Sequence, residues 1–437
     1  MLPALTELPW CAPERALASF PESSWLLLLN SGGDPVQDRA RWSYLCPRAD
    51  ETLILSGGRL RRNGQDVSGT ADMHLRDMCP PPCPALAVPF PGGLAGIASY
   101  EAGMRLEGLS SRHQAEEPEI VAASFTDVLA FDRLEKRLWW ISGSGREAPD
   151  LKVPEIVPSV SQRLDFIPEM DRETWCAAVR DVIRLIGEGD LFQANITQRW
   201  RASLPQDFRE DALYLALSRT SPAPFGTLFR SPEFSLLSAS VERFLSMTPE
   251  GLIETRPIKG TAMKGKDEAE TALRAAALAA DPKECAENLM ITDLMRNDIG
   301  RVCLPGSVRV PQLCAVEPFA HLLHLVSVVQ GQLRPGRDRF DLLRATLPPG
   351  SVTGAPKYRA MEVIDTHEVS ARGAYCGTLF RLGRDGGFDS SVIIRSLTRT
   401  PERLCIGAGG GITWPSDPER EYEEACLKAA PLLGLTG

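Results

Sequence analysis

Lys259 stands in Thr255-Arg-Pro-Ile-Lys-Gly-Thr261, between an apolar Ile258 and Gly260. Pro257 fixes φ and Gly260 lets backbone approach closely, so the segment reads as a strand leading into a turn. A lysine on such a constrained segment can be desolvated, lose its proton and act as a nucleophile or base. A surface lysine beside a turn is the plainer alternative. Two acidic pairs carry a different chemistry. Glu284 and Glu287 lie three residues apart on one helical stretch, as do Glu421 and Glu424 on the last one, so each pair shares a face. Two such helices can together hold a hard divalent cation such as Mg²⁺. A Glu287 partly buried beside Leu289, Met290 and Leu294 would need a cation or a donor. Solvated helix faces are the alternative.

Cationic side chains also stand where a core would not want them. Arg395 interrupts the apolar Ser391-Val-Ile-Ile-Arg-Ser-Leu397, which reads as a buried strand. Its fork suits a substrate carboxylate or a structural ion pair. Lys428 lies four residues after Glu424, on the same helix face. His324 is flanked by apolar residues and is either a satisfied core histidine or a proton carrier. Two glycine segments invite error. Gly350-Ser-Val-Thr-Gly-Ala-Pro-Lys357 has the wrong spacing for a phosphate loop. Gly407-Ala-Gly-Gly-Gly411 lacks the last glycine and the helix of a dinucleotide fingerprint. It offers either bare N–H groups for a carboxylate or a tight strand exit.

Elements must hold these groups in place. The Ser24–Leu29, 41–45, 52–55 and 120–131 stretches read as strands, with a turn at 132–136 and a return at 137–141. Residues 142–168 are rich in Gly, Ser and Pro and read as a connection between an N-terminal part, 1–141, and a C-terminal part, 169–437. Asp171 caps a helix reaching Gly187, and strands and single helices then alternate to a final helix at 417–433. Adjacent strands interrupted by single helices predict an α+β fold with mainly antiparallel sheets.

The bulk properties exclude several classes. The chain has 437 residues, 43% hydrophobic and 24% charged, enough for a large core. A net charge of −9 argues against nucleic acid or an anionic membrane as the main partner, though not against a small anion met by local cations. The N-terminus lacks the features of a signal peptide, and the run Trp25–Leu29 is too short to span a bilayer. Eleven scattered cysteines suggest free thiols in a reducing cytoplasm.

Taken together, seven segments resemble the chorismate-utilising enzymes. They are Arg256-Pro-Ile-Lys-Gly-Thr261, Ala286-Glu-Asn-Leu-Met290 with Asp293-Leu-Met-Arg-Asn-Asp298, His324-Leu-Val-Ser327, Gly350–Lys357, Ile394-Arg-Ser-Leu397, Ala408–Ile412 and Glu421-Tyr-Glu-Glu-Ala425. They stand in the family's order over roughly residues 170–433. The N-terminal part resembles the family through Leu29-Asn-Ser-Gly32 and Arg41-Trp-Ser43, near its tryptophan site.

The resemblance implies two packed antiparallel sheets flanked by helices, with the site between them. It implies Mg²⁺ held by Glu287 and Glu421, with Glu424 nearby, bridging to the ring carboxylate of chorismate. Arg395, Tyr375, Lys428 and the backbone of Gly409, Gly410 and Gly411 would bind carboxylates, and Thr353 and Gly354 would line the ring pocket. Glu242 would be the general acid, His324 would support proton handling, and Lys259 would be the nucleophile.

Within the family, anthranilate-forming members resemble Pro-Ile-Ala-Gly-Thr, whereas aminodeoxychorismate synthases carry Pro-Ile-Lys-Gly-Thr, as here. Isochorismate- and salicylate-forming members place a lysine base where this chain has Gln193, and a glutamine cannot serve as that base. The expected branch is therefore component I of aminodeoxychorismate synthase. It would make 4-amino-4-deoxychorismate from chorismate and ammonia, for 4-aminobenzoate and folate synthesis. No Gly-x-Cys-x-Gly turn is present, so a separate glutamine amidotransferase subunit is expected to supply the ammonia. With no lyase segment after residue 433, the product is expected to stop there. The rivals are an anthranilate synthase large subunit and a non-catalytic tryptophan-sensing paralogue. One departure stands out: Ser240-Val-Glu-Arg-Phe244 has Val241 where the family usually has Pro.

Overall fold

The structure is a computed structural model that describes residues 3–22, 24–36, 38–152, 163–318 and 322–436. The strands form two twelve-stranded sheets. Their ladders are antiparallel, including the joins between strands distant in sequence. The strand pattern predicts the antiparallel α+β class, and the family resemblance implies the two packed sheets with helices outside; both hold.

Strands from residues 1–141 and 169–437 stand edge to edge in both sheets. In the first sheet Leu26–Asn30 pairs with Phe225–Arg230, setting Leu28 opposite Leu228. In the second, Gly93–Ala98 pairs with Thr378–Gly383, setting Gly96 opposite Phe380. Period-2 alternation turns one face of each sheet inward, where Tyr44, Phe229 and Leu236 of the first sheet meet Ile97, Phe125 and Leu379 of the second. Of the expected connection at 142–168, residues 153–162 lie outside the described residues.

The chain passes from one sheet to the other at Thr126, at Val241-Glu242 and at Ile393-Ile394-Arg395. This corrects two readings. Residues 120–131 are two strands, Ile120–Phe125 and Asp127–Asp132, one in each sheet. Phe388–Val392 and Ser396–Arg399 divide in the same way. Val392-Ile393-Ile394 stays apolar into one crossing and a single Thr126 separates the strands at another, so nothing in the pattern marks the change of sheet.

Helices pack against the outer faces. Arg172–Gly187 buries Trp175, Val179, Val182 and Leu185, and Asp171 caps it by accepting the Thr174 N–H at 2.8 Å. Pro418–Leu433 and Lys357–His367 join it around the strand Gln193–Ser203. The helical stretch expected over 267–298 is two helices, Glu268–Ala279 and Pro282–Gly300. The break falls at Asp281, whose carboxylate accepts the N–H groups of Lys283 and Glu284 at 2.9 and 3.1 Å. All eleven cysteines are free thiols. Among the described residues no helix is long and apolar enough to cross a membrane.

Candidate active site

Two sheet crossovers form the floor of a cavity of about 460 Å³. One carries Glu242, the other Arg395. Arg395 does not lie inside a strand, as the sequence suggested. It sits on the crossover with φ at +51°, a left-handed backbone that an arginine adopts only under constraint. Its carbonyl accepts the Ala239 N–H at 3.0 Å, which fixes that backbone. The side chain is exposed to the cavity and has no ion-pair partner among the described residues. Glu242 is held from the other side, with Oε1 accepting the Ser351 hydroxyl at 2.6 Å. Burial raises the Glu242 carboxyl above the ordinary range, while Ser351, Lys259 and Arg395 oppose that rise.

Lys259 comes from the strand Ile258–Met263, where the sequence reading expected a turn. From Leu252 to Lys259 the two strands keep one register along Leu322–Gln332, with Arg256-Pro257 left unpaired. The special conformation lies one residue further on. Gly260 has φ +74° at a bulge, and the register shifts between Lys259 and Thr261. A Cβ on Gly260 would also come within 3.0 Å of Glu284 Oε2. The bulge aims Lys259 into the cavity, and protein closes around it elsewhere. Burial lowers the Lys259 pKa; Glu287 and Glu242 act against this and Lys428 with it. No hydrogen bond holds its Nζ among the described residues. Arg256 takes no part, being paired with Glu317 and Glu254.

The glycine segment is neither a loop nor a strand exit. Gly407–Gly411 lie within the strand Arg403–Ile412 and pair with Gln193–Ser203. On the other edge Ser396–Arg399 pairs only as far as Ile406, so the glycines leave one edge open to the cavity. The Asn195 and Thr197 N–H groups are spent on Thr353 O and Glu368. By the alternation of an antiparallel ladder, the groups of the facing Gly411 and Gly409 also point outward, to the open edge. Lys428 Nζ donates to Gly409 O at 3.0 Å from that side. A Cβ on Gly409 would lie 2.1 Å from Ile196 O, so only glycine fits.

Three of the acidic candidates frame this edge. Glu421 Oε2 would lie 3.2 Å from a Cβ on Gly410, and Glu424 Oε1 3.9 Å from it. Burial and Glu424 raise the Glu421 carboxyl, against a 2.7 Å hydrogen bond from Ser416. Glu424 is paired with Lys428 at 2.7 Å, so the expected metal neighbour and the expected carboxylate binder engage each other. Glu287 is 3.8 Å from Lys283 Nζ and its charge acts on Lys259, and Lys283 also acts on Glu421. Among the described residues no three His, Cys, Asp or Glu side chains converge as a ready-made metal cage. Mg²⁺ rarely uses such a cage, taking one or two carboxylates with substrate and water oxygens instead. Glu287 and Glu421, both within the influence of Lys283, supply the carboxylate oxygens that such a donor set uses.

The other candidates stand further back. Tyr375 lines the cavity, its ring packed on Gly407. Thr353 is wholly buried and its hydroxyl donates to Pro349 O at 2.8 Å. Gly354 lies against the backbone of Gln193, so these two build the wall from behind. His324 Nδ1 is 2.9 Å from Thr261 Oγ1, on the strand beside the bulge, with its pKa lowered by burial. Lys357 is in a buried ion pair with Asp298, tying the 350–357 segment to the helix Pro282–Gly300. Sequence reasoning missed Ser351 and Asn195. Both line the cavity, and Asn195 Nδ2 donates to Ser351 O at 2.9 Å. A second cavity, about 240 Å³, lies between the sheets and is lined by Leu29, Ser31, Trp42, Tyr44, Phe225 and Arg243, among others.

The chorismate binding enzyme family matches residues 59–434 of this chain. The chain is 37% identical over 450 aligned residues to aminodeoxychorismate synthase component 1 of Klebsiella aerogenes, covering 99% of this chain and 98% of the relative. It is 36% identical over 424 residues to anthranilate synthase component 1 of Thermus thermophilus, covering 90% and 89%. Among solved structures, anthranilate synthase component I from Streptococcus pneumoniae superposes with a TM-score of 0.80 at 29% identity, over 90% of this chain and 92% of that one. With the match spanning both sheets and the whole cavity, this chain belongs to the chorismate binding enzymes.

Proposed function

We propose that the chain is the chorismate-aminating component of an aminodeoxychorismate synthase. The observation that carries this reading is Lys259, without an ion-pair or hydrogen-bond partner among the described residues, with its proton disfavoured by burial, opening on the same cavity as Glu242. Identity separates the two nearest activities weakly, at 37% against 36%. Position 259 separates them chemically, since an alanine cannot attack a ring.

In this reading Arg395, Tyr375 and the open edge of Gly409 to Gly411 hold the substrate's carboxylates. Neutral Lys259 attacks ring carbon 2, both conjugated ring double bonds shift by one position, and the bond from carbon 4 to its hydroxyl breaks. Glu242 donates a proton to that leaving oxygen, since hydroxide leaves poorly. Ammonia then bonds to carbon 4, and the bond from carbon 2 to Lys259 breaks as the double bond returns. Glu287 and Glu421 would hold Mg²⁺, which supplies charge neutralisation for the ring carboxylate. His324 and Thr261 stand beside the bulge and steady Lys259's strand. The names of the relatives support a partner glutaminase as ammonia source, and eleven free thiols suit a reducing cytoplasm. The cavity between the sheets, with four aromatic side chains (Trp42, Tyr44, Phe225 and Phe380) and the Arg243–Asp389 pair at 2.9 Å, is offered as the tryptophan site.

The test is purified protein with chorismate, Mg²⁺ and ammonium, the product identified by mass spectrometry. 4-Amino-4-deoxychorismate is expected. Anthranilate in its place would overturn the assignment.

A further inference from the structure

Glu242 has two oxygens, and the structure treats them differently. Oε1 accepts the Ser351 hydroxyl at 2.6 Å. Oε2 makes no hydrogen bond among the described residues and belongs to the cavity wall. We propose that Ser351 is a positioning residue that fixes which oxygen of Glu242 carries the proton delivered to the substrate. The inference rests on Glu242 being the general acid of the reading above.

A protonated carboxyl has one O–H donor and one acceptor oxygen. With its proton on Oε2, Oε1 still accepts from Ser351, and the O–H faces the cavity. With the proton on Oε1, that O–H points at Ser351 and away from any leaving group. The Ser351 hydroxyl would then lose its one acceptor among the described residues. The Ser351 bond therefore favours the productive arrangement, and it locks the carboxyl rotamer as well. Ser351 is itself fixed, because Asn195 Nδ2 donates to its carbonyl at 2.9 Å and Thr353 N–H donates to Gly350 O at 3.1 Å. Glu242 is fixed too: Val392 N–H donates to its carbonyl at 3.1 Å, and its own N–H donates to Ser240 Oγ at 3.3 Å. That last donor exists for any residue at 242, so Val241 in place of Pro leaves it intact.

The charged and titratable groups facing Glu242 are Lys259 from the 258–263 strand, Arg395 from the neighbouring crossover and the Cys376 thiol beside Tyr375. The two cations favour the ionised acid, but neither bonds one oxygen in preference to the other. Ser351 alone breaks the symmetry.

The experiment is a pH–rate profile of kcat for Ser351→Ala and Ser351→Thr, with Glu242→Gln marking the limb that belongs to the acid. For Ser351→Ala, kcat is expected to fall on the order of tenfold with KM for chorismate nearly unchanged. The limb that Glu242→Gln abolishes should move to higher pH, because a bond favouring the ionised form is gone. Ser351→Thr, which keeps the hydroxyl, should restore both features. A silent Ser351→Ala beside an inactive Glu242→Gln would overturn the positioning role alone. A silent Glu242→Gln would overturn the general-acid reading itself. Equal losses in Ser351→Ala and Ser351→Thr, with no movement of the limb, would mean that Ser351 only packs, and the proposal fails.

Discussion

Val392 N–H donates to the Glu242 carbonyl at 3.1 Å, while three residues along each segment Ala239 N–H donates to the Arg395 carbonyl at 3.0 Å. The two crossovers are thus hydrogen-bonded side by side, with Ser240 Oγ to Val392 O at 2.6 Å as a third tie. An acid and a cation needed on one substrate share one rigid frame.

That frame separates stability from binding at Arg395. Glycine relaxes a left-handed backbone, so Arg395→Gly should leave the melting temperature equal or higher. It removes a charge-assisted contact worth about 1.5–3 kcal/mol, so KM for chorismate should rise about ten- to hundredfold. An unchanged KM would exclude Arg395 from substrate binding.

Lys259 can be caught in the act. Without ammonia, enzyme given chorismate and Mg²⁺ should gain the mass of chorismate less one water, by intact-protein mass spectrometry. Lys259→Ala should show neither the adduct nor aminodeoxychorismate. Undiminished product from that variant would remove the nucleophilic role.

The pH dependence follows from two opposed shifts. The proposed reaction requires neutral Lys259 and protonated Glu242. Burial lowers the lysine and raises the glutamate, so both limbs of the kcat profile should lie nearer neutrality than the ordinary values of about 10.4 and 4.3. Limbs at those ordinary values would mean that neither group is desolvated in the working enzyme.

Exhaustive chelation should abolish turnover, and added Mg²⁺ should restore it. Glu421→Gln should raise the Mg²⁺ concentration needed for half activity, with activity recoverable at high Mg²⁺. Full activity after chelation would rule the cation out of the reaction.

Arg372 underpins the wall from behind. It is 2% exposed, ion-paired to Glu368, and donates to Asn195 O and Val352 O at 2.7 and 2.9 Å. Its guanidinium also lies 4.4 Å from the Tyr100 ring centre. Arg372→Met should destabilise by about 3–5 kcal/mol, because it leaves Glu368 charged and buried. Adding Glu368→Met should recover part of that loss in denaturant titration. A wild-type midpoint for the single variant would mean that the pair carries no stability.

Much of this was legible in the residues. The ordered segments pointed to the family, and the strand pattern to antiparallel sheets. Arg395 could be named, but its place on a crossover could not, because apolar character continues from Val392 through Ile394 without a break. The bulge at Gly260 looked like a turn, since a glycine after a proline suits both and only the facing strand distinguishes them. Ser351 was quoted inside a segment yet not singled out. Its partner Glu242 is 109 residues away, and a lone serine carries no periodic signal. The glycine segment reads equally as bare N–H groups or a strand exit, because its open edge depends on where Ser396–Arg399 stops pairing.

The shared sheets also bear on how the chain reaches this state. Gly93–Ala98 finds its neighbour in Thr378–Gly383, and Leu26–Asn30 finds its own in Phe225–Arg230. Contacts so remote in sequence are closed late and slowly, since chain entropy is lost before they form. Until then Leu26–Asn30 and Gly93–Ala98 are apolar strand edges without partners, open to other molecules. A fragment of residues 1–141 would hold that condition permanently, so aggregation, rather than an independent module, is the expected result of dividing the gene there.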